Sequence, residues 1–217
     1  MVIRLFERNR TFTFIVMYSL YLYFLGLSLR NTSKALEPFK NEKRIYVSVW
    51  NWIQRFGSCH IYKRKRISTF IVDETVIQIG SHHCWLWICI EPIDKSVLGI
   101  YISEERNMFV AELYWILVDK YGKHILYTDG GTWYPQACNF LHLKHRLHSN
   151  LEKSLIERVM QYFKDRTECF DDYYPCTKNN NCDLEHVYNW IKLFVYLYNA
   201  KIRNTILFKI GGEIVLT

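Results

Sequence analysis

The chain has 217 residues, half of them hydrophobic and 17% aromatic, which supports one sizeable core plus a small appendage and argues against intrinsic disorder. A formal net charge of +7 fits a polyanionic partner without demanding one. Seven cysteines at irregular spacing, with no signal-peptide pattern and no internal repeat, argue against a secreted disulfide scaffold.

Residues 11–29, TFTFIVMYSLYLYFLGLSL, carry no charge and are long enough for a membrane-span candidate. Tyrosine, serine and threonine dilute the run, and basic residues flank both ends (Arg4, Arg8, Arg10; Arg30, Lys34), so no orientation is specified. The run reads as a buried helix packing on the segments C-terminal to it. Ser28 is placed to cap a short helix over residues 30–36, with Pro38 just past its end. A polar, basic connection leads to VSVWNWIQRF (residues 47–56), where Val49, Trp52, Ile53 and Phe56 recur at helical spacing. Asn51, Gln54 and Arg55 are then expected to point outward. Two short helices, the second offering amide and guanidinium groups, suit a helix-turn-helix entering a major groove. A small bundle with solvated polar positions suits the pattern equally. CHIYKRKR (residues 59–66) reads as a basic linker, with Lys63 and Arg64 as candidate phosphate contacts.

STFIVDETVIQI (residues 68–79) is rich in β-branched residues and reads as a strand. An acid inside such a strand is costly unless a cation or hydrogen bonds compensate it, and Asp73 is such an acid. Alternation along the strand sends Asp73 and Glu74 to opposite faces, so only one is expected to serve a given site. Strands over residues 84–91 and 97–103 come next, then a helix over 108–121 with Phe109, Leu113, Ile116, Leu117 and Lys120 along one side and Gly122 at its C-terminal end. Ile125-Leu126-Tyr127 forms a fourth strand that delivers Asp129 into a Gly-Gly turn. A helix over 133–141, an edge strand near 144–147 and a long helix from Leu151 complete the order. On that last helix Lys164 stands seven residues after Glu157, close to two turns, so both occupy one stripe.

In order and in wording, the segments FIVDET, YTDGG-WYP and HRLHSNLEKSLIERVMQYFKDRTECFDDYYPC resemble the DDE transposases of archaeal and bacterial insertion sequences. The resemblance runs from about Tyr23 to Ala200. It implies an α/β fold: an RNase-H-like mixed sheet flanked by helices, preceded by a small helix-turn-helix unit. It also implies roles. Asp73 is the first acid, Asp129 the second and Glu157 the third, with Lys164 the basic residue two turns on. Glu152 competes for the third place, but seven residues after it stands Val159 rather than a cation. The 27 residues between Asp129 and Glu157 (130–156) are fewer than in many such enzymes. The implied chemistry is in-line displacement at phosphorus supported by two Mg²⁺ (or Mn²⁺) ions, roughly 3.5–4 Å apart in such centres. Hard cations of this kind take oxygen ligands. Asp73 would bridge both ions while Asp129 and Glu157 each hold one. Lys164, Arg158 and Arg166 would steady phosphates.

The implied partners are the terminal repeats of the element and its target DNA, in the cytoplasm on the nucleoid, with a homo-oligomer because two element ends must react. A catalytically inactive DNA-binding relic and a membrane-anchored protein are the rival readings. The implied division is 1–58 as the DNA-binding unit, 59–67 as linker, 68–200 as the catalytic domain and 201–217 as a tail. Residues 184–200 form a helix capped by Asp183, whose apolar stripe is expected to pack on the catalytic core, and residues 205–217 a small hairpin. His82, His83 and Cys84, or His142, His145 and His148, lack a recognised ligand spacing, and His145 with Arg146 suits DNA contact or an edge strand equally. Cys169, Cys176, Cys182 and His186, separated by six, five and three residues, match no standard zinc finger.

Overall fold

The structure, a computed structural model, describes residues 11–39, 45–57, 66–79, 82–107, 110–168 and 184–202. Lys63, Arg64, Phe109, Cys169, Cys176, Cys182, Asp183 and the expected hairpin over 205–217 lie outside the described residues. The chain divides into two compact units, Met1–Ile61 with Asp183–Thr217, and Tyr62–Cys182.

The first unit is helical. Helix α1 (Thr13–Phe24) buries Ile15, Val16, Leu20, Tyr23 and Phe24. Its hydroxyls are accommodated inside: Ser19 donates to the Ile15 carbonyl at 2.6 Å. With 12 residues, α1 is well short of the ~20 needed to span a bilayer. No helix among the described residues is long and apolar enough to cross a membrane. Helix α2 (Leu29–Ala35) starts at Ser28, whose side chain accepts from the Asn31 amide at 3.2 Å, as its sequence indicates. Helix α3 (Tyr46–Gly57) buries Val49, Trp52, Ile53 and Phe56, the expected stripe.

Helix α7 (Leu184–Ile202) belongs with these helices rather than with the unit that holds residues 68–168, contrary to expectation. An amphipathic stripe says that a helix packs, not on what. Its partners here are explicit: Trp190 donates to the Tyr23 hydroxyl at 2.7 Å, Phe24 meets Phe194 with ring centroids 5.0 Å apart, and Phe56 meets Tyr196 at 4.9 Å.

The second unit is a five-stranded sheet in the order β3-β2-β1-β4-β5. Strands β1 (Phe70–Ile79), β2 (His82–Ile90) and β3 (Val97–Ser103) form an antiparallel meander. Helix α4 (Val110–Tyr121) crosses back, so β4 (Leu126–Thr128) lies parallel to β1. Helix α5 (Trp133–Phe140) then leads to β5 (His145–Leu147), parallel to β4. An antiparallel meander extended by two parallel strands on the first is the RNase-H-like arrangement, and this unit has that fold.

Even-numbered positions of β1 set one face of the sheet. Phe70 and Val72 join Trp87, Cys89, Leu98, Leu113, Tyr114, Leu117 and Tyr134 in one buried cluster under α4 and α5. Helix α4 buries Val110, Leu113, Tyr114 and Leu117, while Ile116 is 41% exposed, so its inner stripe is turned from the one expected. Gly122 ends α4 at φ +86°, a conformation suited to glycine. Helix α6 (Asn150–Glu168) packs on β1 and buries Ile156, Val159, Met160 and Phe163.

A capping box starts α6: the Ser149 amide donates to Glu152 Oε2 at 2.6 Å and the Ser149 hydroxyl bonds the same carboxylate. These bonds hold the Glu152 carboxyl below its usual range. Glu152 is thereby engaged at the helix start. Ser149→Ala is expected to cost about 1 kcal/mol, read as a lower urea midpoint.

Candidate active site

Asp73 sits beyond the hydrogen-bonded overlap of β1 with β4, which is confined to Phe70 with Leu126 and Ile71 with Tyr127. Past that point the β1 edge is open. Asp129 stands at the end of β4, where its Oδ1 accepts from the Gly131 amide at 3.1 Å. The glycine pair is dictated locally. Gly130 has φ +93° and a Cβ there would come within 2.8 Å of Leu147; a Cβ on Gly131 would collide with the Trp133 ring.

Carboxylate oxygens of Asp73, Glu74 and Asp129 lie within 4.8 Å of one another. Strand alternation assigns Glu74 to the other face, and its contacts bear that out: its side chain is 1% exposed and bonded by Arg106 and Tyr134. Even so, its carboxylate reaches the same locus, because no neighbouring strand covers the β1 edge here. The two acids thus leave the strand on opposite faces, as expected, yet their carboxylates end close together.

A cleft of about 470 Å³ opens beside these acids, lined by Asp73, Glu74 and Thr75 of β1 and by Ser154, Glu157, Arg158, Met160, Gln161 and Lys164 of α6. Glu157 and Lys164 therefore line the same cleft as Asp73, across from β1. Glu157 is outside the 4.8 Å group; its side chain is 58% exposed and 3.9 Å from Lys153 Nζ. Oxygen-only donors at this spacing suit a hard divalent cation.

The other expected residues divide. Arg158 is exposed on the cleft, with Nη2 3.3 Å from the Ser154 hydroxyl. Arg166 is only 6% exposed, which withdraws it from any surface a phosphate would meet, contrary to expectation. In the first unit Asn51 and Arg55 are exposed. Gln54 is not directed outward as expected: its amide bonds the His186 carbonyl at 3.4 Å and the Asn189 side chain at 3.3 Å, both on α7. His145 is half-buried, with Nε2 2.7 Å from Thr128 Oγ1, which is an edge-strand role.

Burial pushes the Asp73 carboxyl up to about 7 from its ordinary 3.8, with further upward pressure from the charges of Glu74, Asp129 and Glu157; the Glu74 amide, 2.9 Å from Oδ1, partly opposes this. Glu91 shows what a structural buried acid looks like. At 3% exposure it accepts from the Ser68 hydroxyl at 2.7 Å and from the amides of Ile93 and Asp94 at 2.8 and 2.9 Å. Asp73 faces other carboxylates instead.

A raised carboxyl couples stability to pH with a definite sign. Between about pH 4 and 7 the folded chain retains a proton on Asp73 that the unfolded chain has lost. This group's stabilising contribution is therefore complete below pH 4, is lost as pH rises to about 7, and is flat above. Asp73→Asn is expected to remove that slope. In EDTA the variant should melt several degrees above wild type at pH 8 and alike at pH 4, roughly as one buried-charge penalty requires. Calorimetry across pH checks this.

The residues that sequence reasoning passes over are Glu74, Arg106 and Tyr134. A consecutive Asp-Glu pair in an apolar strand is the available signal.

The fold and its acids define an RNase-H-like domain with a carboxylate-lined cleft. No protein-family model matches the chain. An uncharacterized protein of Methanocaldococcus jannaschii, MJ0017, is 30% identical over 198 residues, 90% of each chain, and the present chain belongs to its family. Among solved structures, a chain of the simian T-cell lymphotropic virus intasome in complex with PP2A regulatory subunit B56 gamma is similar with TM-score 0.45 and 16% identity, over 81% of this chain and 67% of that one. The catalytic core domain of BIV integrase gives 0.44 and 18%, over 67% and 89%. The HTLV-2 integrase catalytic core in complex with magnesium, dimeric form, gives 0.44 and 15%, over 70% and 96%. The strand order, rather than these distant likenesses, fixes the fold class.

Proposed function

We propose that the chain is a DDE-type transposase of an insertion sequence, cleaving and joining DNA at the element's ends. The observation that carries this reading is the convergence of Asp73 and Asp129 from adjacent parallel strands beside a cleft whose far wall presents Glu157 and Lys164. Asp73, Asp129 and Glu157 would hold two Mg²⁺ or Mn²⁺ ions. Such ions, when bound, supply Lewis-acid activation of the attacking and leaving oxygens.

The remaining work falls to the chain. Lys164 and Arg158 meet the phosphates along the cleft. Hydrolysis of one phosphodiester frees a 3′-hydroxyl, which then displaces an oxygen from the target phosphodiester; one P–O bond forms and one breaks in each step. Asn51 and Arg55, with Lys63 and Arg64 of the basic segment, contact DNA outside the cleft. Gln54 and Arg166 drop out of that set. Pairing of two element ends calls for a homo-oligomer.

The test is joining of a labelled element end into target DNA by purified protein in Mn²⁺ or Mg²⁺. Metal-dependent joined product is the expected result. Binding of the ends without cleavage at any metal concentration would replace the enzyme with an inactive DNA-binding relic.

A further inference from the structure

We propose that Glu74 is a positioning residue that fixes the gap between Asp73 and Asp129. The inference rests on the reading of those two aspartates as a cation site.

The ladder between β1 and β4 ends at Ile71 and Tyr127, so no backbone bond of that pair sets the spacing of Asp73 against Asp129. Glu74 supplies a link from the next residue of β1. Its Oε2 accepts from the Tyr134 hydroxyl in the first turn of α5, immediately after the turn that carries Asp129. Tyr134 is a rigid anchor: it is fully buried, its amide bonds the Gly131 carbonyl at 3.1 Å, and its ring meets Trp87 edge-on at 5.9 Å.

The other carboxylate oxygen is held as firmly. Arg106 places Nε 2.7 Å and Nη2 2.5 Å from Glu74 Oε1. The guanidinium is itself held against the rings of Trp85 and Trp133, at 4.7 and 4.4 Å from their centroids. Glu74 is thus neutralised by Arg106 and tied to α5 by Tyr134. Both oxygens are committed to protein partners, which leaves Asp73 and Asp129 as the acids that face a cation.

A direct ligand and a positioning residue respond differently to Tyr134→Phe. The phenyl ring keeps the packing, the net charge is unchanged and only the tie to Glu74 is removed. Mn²⁺ binding to the full-length protein, followed by loss of the free-ion EPR signal, gives a readout independent of turnover. The expected result is a 10–100-fold weaker Mn²⁺ affinity in both Tyr134→Phe and Glu74→Gln, the usual effect of losing a group that orients a ligand. Val110→Ala, a core truncation on α4, lowers the melting temperature without weakening Mn²⁺ binding, so lost stability alone does not explain the effect.

Weakening in Glu74→Gln with wild-type or tighter affinity in Tyr134→Phe would overturn the proposal and make Glu74 a ligand. Unchanged affinity in both would overturn it in favour of a purely structural ion pair. Wild-type protein that binds no Mn²⁺, or binds it undiminished in Asp73→Asn and Asp129→Asn, would sink the cation site itself. That result is distinct from a failure confined to the Glu74 and Tyr134 variants.

Discussion

Asp73→Asn, Asp129→Asn and Glu157→Gln are each expected to lower metal-dependent strand joining by at least about 10³-fold. The magnitude reflects several kcal/mol of transition-state charge stabilisation by metal ions and a factor of ten per 1.36 kcal/mol. Each substitution removes one negative charge with little change of shape. The three differ in stability. Asp73→Asn relieves a carboxylate that burial, and then three neighbouring carboxylates, disfavour in its charged form, and so stabilises the metal-free protein above neutral pH. Glu157 is exposed on α6, so Glu157→Gln should stay within about 0.5 kcal/mol of wild type, as surface substitutions do. Glu152 provides the contrast, because its carboxylate caps α6 and Glu152→Gln should weaken stability while joining persists. Gel-resolved joining products and urea titrations of the same preparations separate the two effects. Full activity in Glu157→Gln together with loss in Glu152→Gln would reverse the assignment of the third acid.

That separation bears on what can be read from residues alone. The meander of β1 to β3 is legible because β-branched and apolar residues dominate there, and the end of β4 because Asp129 is followed by two glycines, of which Gly130 takes the positive φ that favours glycine. Ser28 and Gly122 mark helix ends through local backbone chemistry, which a sequence carries in full. Partner choice is not local. The stripe on α7 is visible in the sequence, but its destination against Tyr23, Phe24 and Phe56 depends on a chain reversal spanning most of the sequence. Polarity assigns Gln54 and Arg166 to solvent, yet Gln54 faces α7 and Arg166 is buried. Strand alternation sets Glu74 aside. Alternation gives the face a side chain leaves from, not how far it reaches around an uncovered edge.

Gly57→Ala is expected to be the most damaging single substitution in the helical unit. Helix propensity alone would favour it, since alanine exceeds glycine by about 1 kcal/mol in a helix interior. Packing reverses the sign. A Cβ at Gly57 would overlap the Asn189 carbonyl oxygen and stand 2.5 Å from its carbon, both backbone atoms of α7. No rotamer change relieves a clash with backbone, so α3 and α7 must move apart. Moving them strains the contacts on the same face of α3: the Gln54 bonds to His186 and Asn189, and Trp50 against His186 with ring centroids 5.1 Å apart. The cost should reach at least about 3 kcal/mol, the upper end of ordinary overpacking. For a unit of this size, about 4–8 °C per kcal/mol puts the drop in melting temperature above roughly 12 °C. Thermal melts followed by far-ultraviolet circular dichroism measure it. A variant melting within about 2 °C of wild type, far inside that scale, would mean that α3 and α7 do not approach as closely as the glycine requires.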